Sequence, residues 1–357
     1  MNTSTKRIIG ALLVCNGMLL STAANAEEIT IWSWDTAAEA LKSVSEQYNA
    51  TNPALTANTV TSQVYDQLTA GCAAGGVNLP DVVSIENGEA ERYIQQFPDC
   101  FVELSQFGVD ELKPLFSDYK WVELQSGDNT YGVPWDAGQV VTFYRADLFD
   151  KAGITADDIA TWDGYIEAGK KLAAATNGET RMALSNYTSG LNWFSVMAQQ
   201  LGCSVFGEKD GETTIRVNQA GCVRALDQVK KLADAGVIAP GGWSEKLTAL
   251  KTGKTASAVY GAWYEGSVRN NMPELSGQWR VTKMPAFEEG GKRAANLGGS
   301  ALFITASSKN PAAAYDFVKF ALTKPEIQIG MLKSHGLVPS LLSTQSDEYM
   351  SSPQEYW

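Results

Sequence analysis

Between Ile29 and Gln96 the sequence swings three times from a two-residue period to a helical one. Ile29-Thr30-Ile31-Trp32 is an alternating, β-branched run of the kind that forms a strand. Ala38, Leu41, Val44 and Tyr48 then recur at helical spacing until Asn52-Pro53 ends the run. Leu55 to Val60 predicts a second strand, and Val64 to Ala74 a second helix stopped by Gly75-Gly76. Pro80-Asp81 leads into the short apolar strand Val82-Val83-Ser84-Ile85, with a helical pattern from Glu89 to Gln96 behind it. Strands separated by helices pair in parallel, so the expected class is α/β, a mainly parallel sheet with helices on both faces.

Tyr131-Gly132-Val133-Pro134-Trp135 breaks this rhythm, and Val140 to Tyr144 resumes it as a strand. The small-residue link Asp136-Ala137-Gly138 between them reads as a crossing from one lobe to another. A second α/β stretch runs from Arg145 to about Pro285, with helices near Trp162 to Ala175, Leu191 to Leu201 and Val223 to Ala235. No flexible linker separates the two halves, which points to a hinged pair rather than independent beads. A chain of 357 residues is long enough for two cores and a cleft.

The beginning of the chain predicts export. Lys6 and Arg7 precede an apolar run from Ile8 to Leu20, and Ala24-Asn25-Ala26 offers small residues for cleavage before Glu27. The run is too short for a permanent span. Cys15 sits inside it behind Val14, where lipidation would need a small residue before a cysteine at the cleavage site. Residues 1–26 are therefore expected to be a signal peptide, and the mature chain to be periplasmic. Its loss leaves 26 basic against 40 acidic side chains, a net charge of −14, which argues against nucleic acid or an anionic membrane as partner. It also leaves Cys72, Cys100, Cys203 and Cys222, an even number suited to two disulfides in an oxidising compartment. Four cysteines allow three pairings; nearest-neighbour pairing, Cys72–Cys100 and Cys203–Cys222, is the simplest. A metal site would need closer spacing, so no metal and no cofactor is expected.

Several passages together resemble the family 1 extracellular solute-binding proteins, which include maltose-binding protein and other sugar receptors. They are Trp32-Ser33-Trp34-Asp35, Leu79-Pro80-Asp81-Val82-Val83, Tyr131 to Trp135 and the stretch Phe143 to Ile154. Thr161-Trp162-Asp163, the Gly253-Lys254 turn before Ala258-Val259-Tyr260-Gly261-Ala262-Trp263, and Leu297-Gly298-Gly299-Ser300 complete the set. No single piece decides it; their order spans nearly all of the mature chain. The resemblance implies a two-lobed periplasmic-binding-protein fold of type II, with mixed, mainly parallel sheets and a ligand cleft between lobes. The first lobe would hold residues 27–136 and 286–323, and the second 137–285 and 324–357. It implies a monomeric receptor that delivers a small molecule to ABC permease and ATPase subunits. Family members continue past the equivalent of Trp357, so further helices of the second lobe, and contacts from them, are expected beyond it.

A sugar presents hydroxyls for paired hydrogen bonds and a C–H face for stacking, so its site needs carboxylates and amides beside aromatic planes. In an open α/β sheet such a site lies beyond the carboxyl ends of the strands. Trp34 and Asp35 follow the first strand, Glu86 and Asn87 the third, and Tyr65 and Asp66 open the second helix; Asp136 sits at the crossing. From the second lobe come Asn186, Trp193 and the cluster Trp263-Tyr264-Glu265, whose two aromatics cannot both face the core. Gly298-Gly299-Ser300 would let backbone N–H groups approach a ligand. Each has a plainer reading: Trp34 and Tyr65 as core, Asp35 and Asp66 as helix caps, Glu86 as a solvated turn, and Gly298-Gly299 as a tight turn. Trp162 and Trp279 are assigned to the core.

Two other functions compete. A secreted glycoside hydrolase could use the same carboxylates. His335, the single histidine, and the absence of G-x-S-x-G leave little for nucleophilic catalysis. Thr252-Gly253-Lys254-Thr255 looks like the tail of a P-loop, but Thr248 stands where its first glycine belongs. A polyamine receptor would also combine acids with aromatic walls. Binding a sugar and closing the two lobes about crossings near Asp136 and Pro285 is the leading expectation.

Overall fold

The computed structural model describes residues 27–52, 55–186, 192–209, 212–354 and 356–357, so the expected signal peptide lies outside the described residues. Among the described residues no helix is long and apolar enough to cross a membrane. The first lobe follows the periodicity closely. Strand β1 (Glu27–Ser33) leads into helix α1 (Asp35–Thr51), β2 (Leu55–Thr61) into α2 (Val64–Ala73), and β3 (Val82–Glu86) into α3 (Asn87–Gln96). β2, β1 and β3 lie side by side and parallel. α1 buries Leu41, Val44 and Tyr48, the stripe that its spacing predicts. The Pro80-Asp81 turn is also structural: the Asp81 carboxylate accepts from Thr30 N–H at 2.9 Å and so anchors β3 beside β1.

Two further strands complete this sheet in antiparallel sense. Ser300–Ile304 pairs with β3, and Gly132–Pro134 pairs with Ser300–Ile304 on its outer side. The sheet is thus mixed, with parallel pairing confined to β2, β1 and β3. The reason is connectivity: a strand that re-enters from the other lobe arrives in the opposite direction and needs no helical crossover.

The second lobe is built on Val140–Arg145, flanked antiparallel by Ser257–Gly261 and Trp279–Lys283. Ala183–Ser185 and Ile238–Pro240 pair in parallel beside it. A hydrogen bond from Ser257 N–H to Met182 C=O, 2.8 Å, joins the two pieces. Helix Trp162–Ala175 opens with Thr161 as a side-chain cap accepting from Gly164 N–H at 3.0 Å. Trp162 and Trp279 are fully buried in this lobe.

The lobes are joined by a hydrogen-bonded ribbon. Trp135 N–H donates to Ser300 C=O, Leu297 N–H to Gly138 C=O, and Val140 N–H to Ala295 C=O. A third strand of chain joins it, with Ala137 N–H on Val338 C=O and Ser340 N–H on Trp135 C=O. At Asp136 the chain passes from Gly132–Pro134 in the first sheet to Val140–Arg145 in the second. The second crossing is not near Pro285, whose carbonyl is held by Gln200 Nε2 of the second lobe at 2.7 Å, but at 295–300. The packing also moves the lobe boundaries. Phe287, Ala295 and Leu297 pack on the second lobe's core, whereas Ile327, Met331, Leu337 and Leu341 join the first lobe's core. Tyr356 and Trp357 pack against Phe143 and its neighbours in the second lobe. The periodicity marks elements, but which core receives each one is decided by the ribbon's geometry.

The four cysteines fall into the nearest-neighbour pairs: Cys72 with Cys100 and Cys203 with Cys222, each with Cα atoms 5.4 Å apart, inside the range a disulfide spans.

Gly138 sits where the ribbon is tightest. A Cβ there would lie 2.4 Å from Leu297 C=O and 2.6 Å from Gly298 C=O. Gly138→Val is therefore expected to cost about 1–3 kcal/mol, read as a lower urea midpoint, because neither backbone carbonyl can retreat without breaking the ribbon.

Candidate ligand-binding site

The ribbon forms the floor of a cavity of about 220 Å³ between the lobes. Asp136 and Gly298-Gly299-Ser300 form that floor, Trp34, Asp35 and Glu86 the first-lobe wall, and Trp263 the opposite wall. The first-lobe members stand where an α/β sheet places a site, just past the carboxyl ends of β1 and β3.

Trp34 precedes α1, and its ring lies 5.8 Å from that of Tyr65. Asp35, the first residue of α1, has a left-handed φ of 42°, a strained conformation that Asp tolerates better than most residues. Asp35 does not cap α1, whose N-cap makes no side-chain bond. It is exposed toward the cavity. Tyr65 donates from its hydroxyl to Glu86 Oε2 at 3.1 Å and accepts from Glu86 N–H at 3.0 Å. The phenol thus fixes the carboxylate from behind. Partial desolvation in the cleft, reinforced by the nearby Asp136 charge, raises the Glu86 pKa despite the tyrosine hydrogen bond.

Beneath the floor lies a group that the sequence reading does not single out. Lys120 is 2 % exposed, and its ammonium donates to Asn87 Oδ1 at 2.6 Å and to Asp136 C=O at 2.8 Å. Burial pushes its pKa down, while the charges of Asp136 and Glu123 oppose that shift. The Asp136 carboxylate accepts from Ser300 N–H at 2.8 Å and from the Ser300 hydroxyl. Asn87 N–H donates to Gly299 C=O at 2.9 Å. Asn87 is therefore buried under the site and supports it. Gly299 has φ 89°, and a Cβ there would lie 2.8 Å from Lys120 Nζ and 2.9 Å from Asp136 C=O. Only glycine fits above the ammonium.

On the second lobe the Trp263-Tyr264-Glu265 cluster divides. Trp263 lines the cavity, and its Nε1 donates to Leu297 C=O at 2.8 Å. Glycines make room for the indole: a Cβ on Gly261 or Gly298 would come within 2.3 or 2.8 Å of its Nε1. Tyr264 is fully buried against Phe143 and Tyr260. Glu265 turns away from the cavity, toward Trp357 Nε1 at 3.2 Å and Arg269 at 3.5 Å.

The remaining candidates lie elsewhere. Asp66 is exposed in the first turn of α2 and does not line the cavity. Trp193 is buried in the second core beside Trp162 and Tyr165. Its edge, with Asn186, lines a smaller cavity of about 130 Å³ on the second lobe. Thr36, Ser267 and Leu337 line the main cavity without having been anticipated. Thr36 and Ser267 look like ordinary helix residues in sequence, and nothing there marks them as facing a cleft.

A larger hollow of about 790 Å³ lies farther along the ribbon, between Tyr119 and residues 291–296. No carboxylate lines it, and the Arg293 guanidinium is spent on Met284 and Lys283 carbonyls at 2.7 Å. The interlobe cavity of about 220 Å³, with two indoles, three carboxylates and apposed glycine backbone, has the chemistry of a ligand site.

The model of the bacterial extracellular solute-binding protein family matches residues 33–328. The chain belongs to that family. It is 34% identical to a lactose-binding protein of Rhizobium radiobacter, an alignment covering 99% of this chain and 84% of the relative. With an arabinooligosaccharide-binding protein of Bacillus subtilis it shares 28% identity, over 72% of this chain and 59% of the relative's length. The ABC transporter associated binding protein of B. animalis subsp. lactis, solved with β-1,6-galactobiose, superposes with a TM-score of 0.77 at 27% identity. That match covers 91% of this chain and 78% of the other. As a solute-binding protein, the chain has its interlobe cavity where a solute would be enclosed.

Glu86 supplies a test with two opposite readouts. A carboxyl whose folded pKa is raised favours folding at low pH, and that contribution disappears as pH rises through the raised value. At neutral pH the desolvated carboxylate is a burden, so Glu86→Gln should raise the melting temperature of the ligand-free protein. That gain should shrink toward the acid side of the titration. The same change should weaken solute binding about tenfold or more, since a charged acceptor becomes a neutral one.

Proposed function

We propose that this chain is the exported receptor of an ABC importer, and that it binds a mono- or oligosaccharide, or a sugar alcohol, between its lobes. The observation that carries this reading is the pairing of Trp34 and Trp263 on opposite walls with Asp35 and Glu86 on one wall and Asp136 on the floor of the same cavity. Indole faces suit the C–H face of a sugar ring, and carboxylates suit its paired hydroxyls. The sugar-binding names of its relatives support the same class. The role is binding without catalysis: the ligand docks on the first lobe, the ribbon flexes, and Trp263 closes over it. The closed form is what the permease and its ATPase subunits receive. The mature protein is a monomer that starts at Glu27, resides in the periplasm, and carries the disulfides Cys72–Cys100 and Cys203–Cys222.

A thermal-shift screen of the mature protein against sugars, polyols and polyamines tests this directly. A sugar at a hundred times its Kd should raise the melting temperature by on the order of 5 °C. Small-angle scattering of the same sample should show a smaller radius of gyration on saturation. An unchanged radius would sink the closure step, and a shift with polyamines alone would replace the sugar reading. Slow cleavage of a glycoside would restore the hydrolase.

Peptide mapping without reduction should recover Cys72 linked to Cys100 and Cys203 linked to Cys222. Free thiols at those positions would place the protein in a reducing compartment and argue against export.

A further inference from the structure

We propose that the hollow between Tyr119 and residues 291–296 is a separate binding site, which takes an organic anion with an apolar body and couples its occupancy to the solute cavity through the ribbon.

At about 790 Å³ the hollow falls within the roughly 300–1,000 Å³ of small-molecule sites. Its base is apolar: Val140 and Val141 open the strand that leaves the ribbon, and Ala294 and Ala295 lie beside them. Tyr119, from the first lobe and about half exposed, forms one wall. Burial, with the Glu123 and Asp136 charges, raises its pKa, so the phenol stays protonated and able to donate. The second lobe contributes Lys283, Lys292 and Arg293. Three cations thus meet with no carboxylate in the lining, in a mature chain with 40 acidic side chains against 26 basic. The hydrogen bonds from Arg293 to the Met284 and Lys283 carbonyls fix its guanidinium but leave its charge uncompensated, because both acceptors are neutral.

This wall is held from behind. Gln200 donates to Lys292 C=O, and Gln199 Oε1 accepts from Asn296 N–H at 2.9 Å. Preset cations and a phenol over an apolar base suit a carboxylate carried on an aromatic or aliphatic body. The solute cavity has the opposite character, since Asp35, Glu86 and Asp136 repel an anion. Charge therefore sorts the two ligands between the two sites.

Two contacts join the hollow to the floor of the solute cavity. Asn296, in the lining, donates from Nδ2 to Gly298 C=O at 2.9 Å, and Gly298 is part of that floor. Tyr119 is the chain neighbour of Lys120, whose ammonium holds Asp136 C=O from below. Gln139 and Asn296, both in the lining, are also bridge partners in the ribbon. Because the lining comes from both lobes and from the ribbon between them, a change of lobe angle changes the shape of the hollow. An anion there binds the two lobe arrangements unequally and so shifts their balance.

The test titrates the mature protein and its Lys283→Gln/Lys292→Gln double variant with 3-phenylpropionate, 3-phenylpropionamide and inorganic phosphate by calorimetry. Both lysines are exposed and neither lines the solute cavity, so the variant should fold and keep its solute affinity in the absence of anion. Phenylpropionate should bind the wild type at least about tenfold more tightly than the amide or phosphate, and about tenfold more weakly to the variant. No binding of phenylpropionate, equal binding of its amide, or an unchanged affinity in the variant would overturn the anion site. Phosphate bound as tightly as phenylpropionate would overturn the apolar body. Saturating phenylpropionate should also shift the lactose Kd of the wild type by about fivefold or more, and a Kd that does not move would overturn the coupling. If lactose does not bind, which bears on the sugar reading alone, hydrogen exchange decides the coupling. Phenylpropionate should slow exchange at the Gly298, Gly299 and Ser300 amides about threefold or more, and unchanged rates would overturn it.

Discussion

The buried ammonium of Lys120 is the interaction on which the site depends. It ties Asn87 at the start of α3 to the Asp136 carbonyl in the crossing ribbon, and it sits directly beneath Gly299. A charge so deeply buried is tolerable because two of its three donors are bonded and the Asp136 and Glu123 charges oppose its loss, and removing it would orphan two acceptors at once. Asp136 in turn clamps Ser300, the first residue of the strand that returns from the second lobe. Three pieces of chain far apart in sequence are thus held in register at the bottom of the cleft.

That arrangement explains how a hinge can be both rigid and mobile. The ribbon is a continuous hydrogen-bonded ladder, so it resists shear and twist out of register. It is also rich in glycine, with Gly138, Gly298 and Gly299 at its narrowest point, so small changes in backbone angle are available there. In the proposed closure, movement about this element would bring Trp263 toward Trp34 across the cavity they line. The left-handed φ of Asp35 places backbone strain at the wall of the cavity.

The elements were legible in sequence because each carries its own period. β1 to α3, and the helix Trp162–Ala175, appear where the alternation and the apolar stripe place them. The antiparallel strands and the lobe boundaries were less legible. Ser300–Ile304 is fully buried, so it shows no alternation to reveal its direction. Ile327, Met331 and Leu337 form an apolar face that would suit either core, and only the geometry of the third crossing delivers it to the first lobe.

The candidate site divides along the same line. Trp34, Asp35 and Glu86 follow the carboxyl ends of strands and Asp136 lies in the ribbon, and the structure brings all four to one interlobe cavity. Trp263 and Tyr264 are adjacent and both aromatic, and sequence could say only that they must diverge. The sequence by itself determined the α/β alternation and the family. The tertiary structure decided where the candidate side chains point: Trp263 toward the cavity and Tyr264 into the core, with Asn87 and Lys120 beneath the floor. The physical reason is that a side chain's direction at a helix start or strand end is set by what packs behind it, and those partners lie far off in sequence, as Ser300 does from Asp136 at a separation of 164.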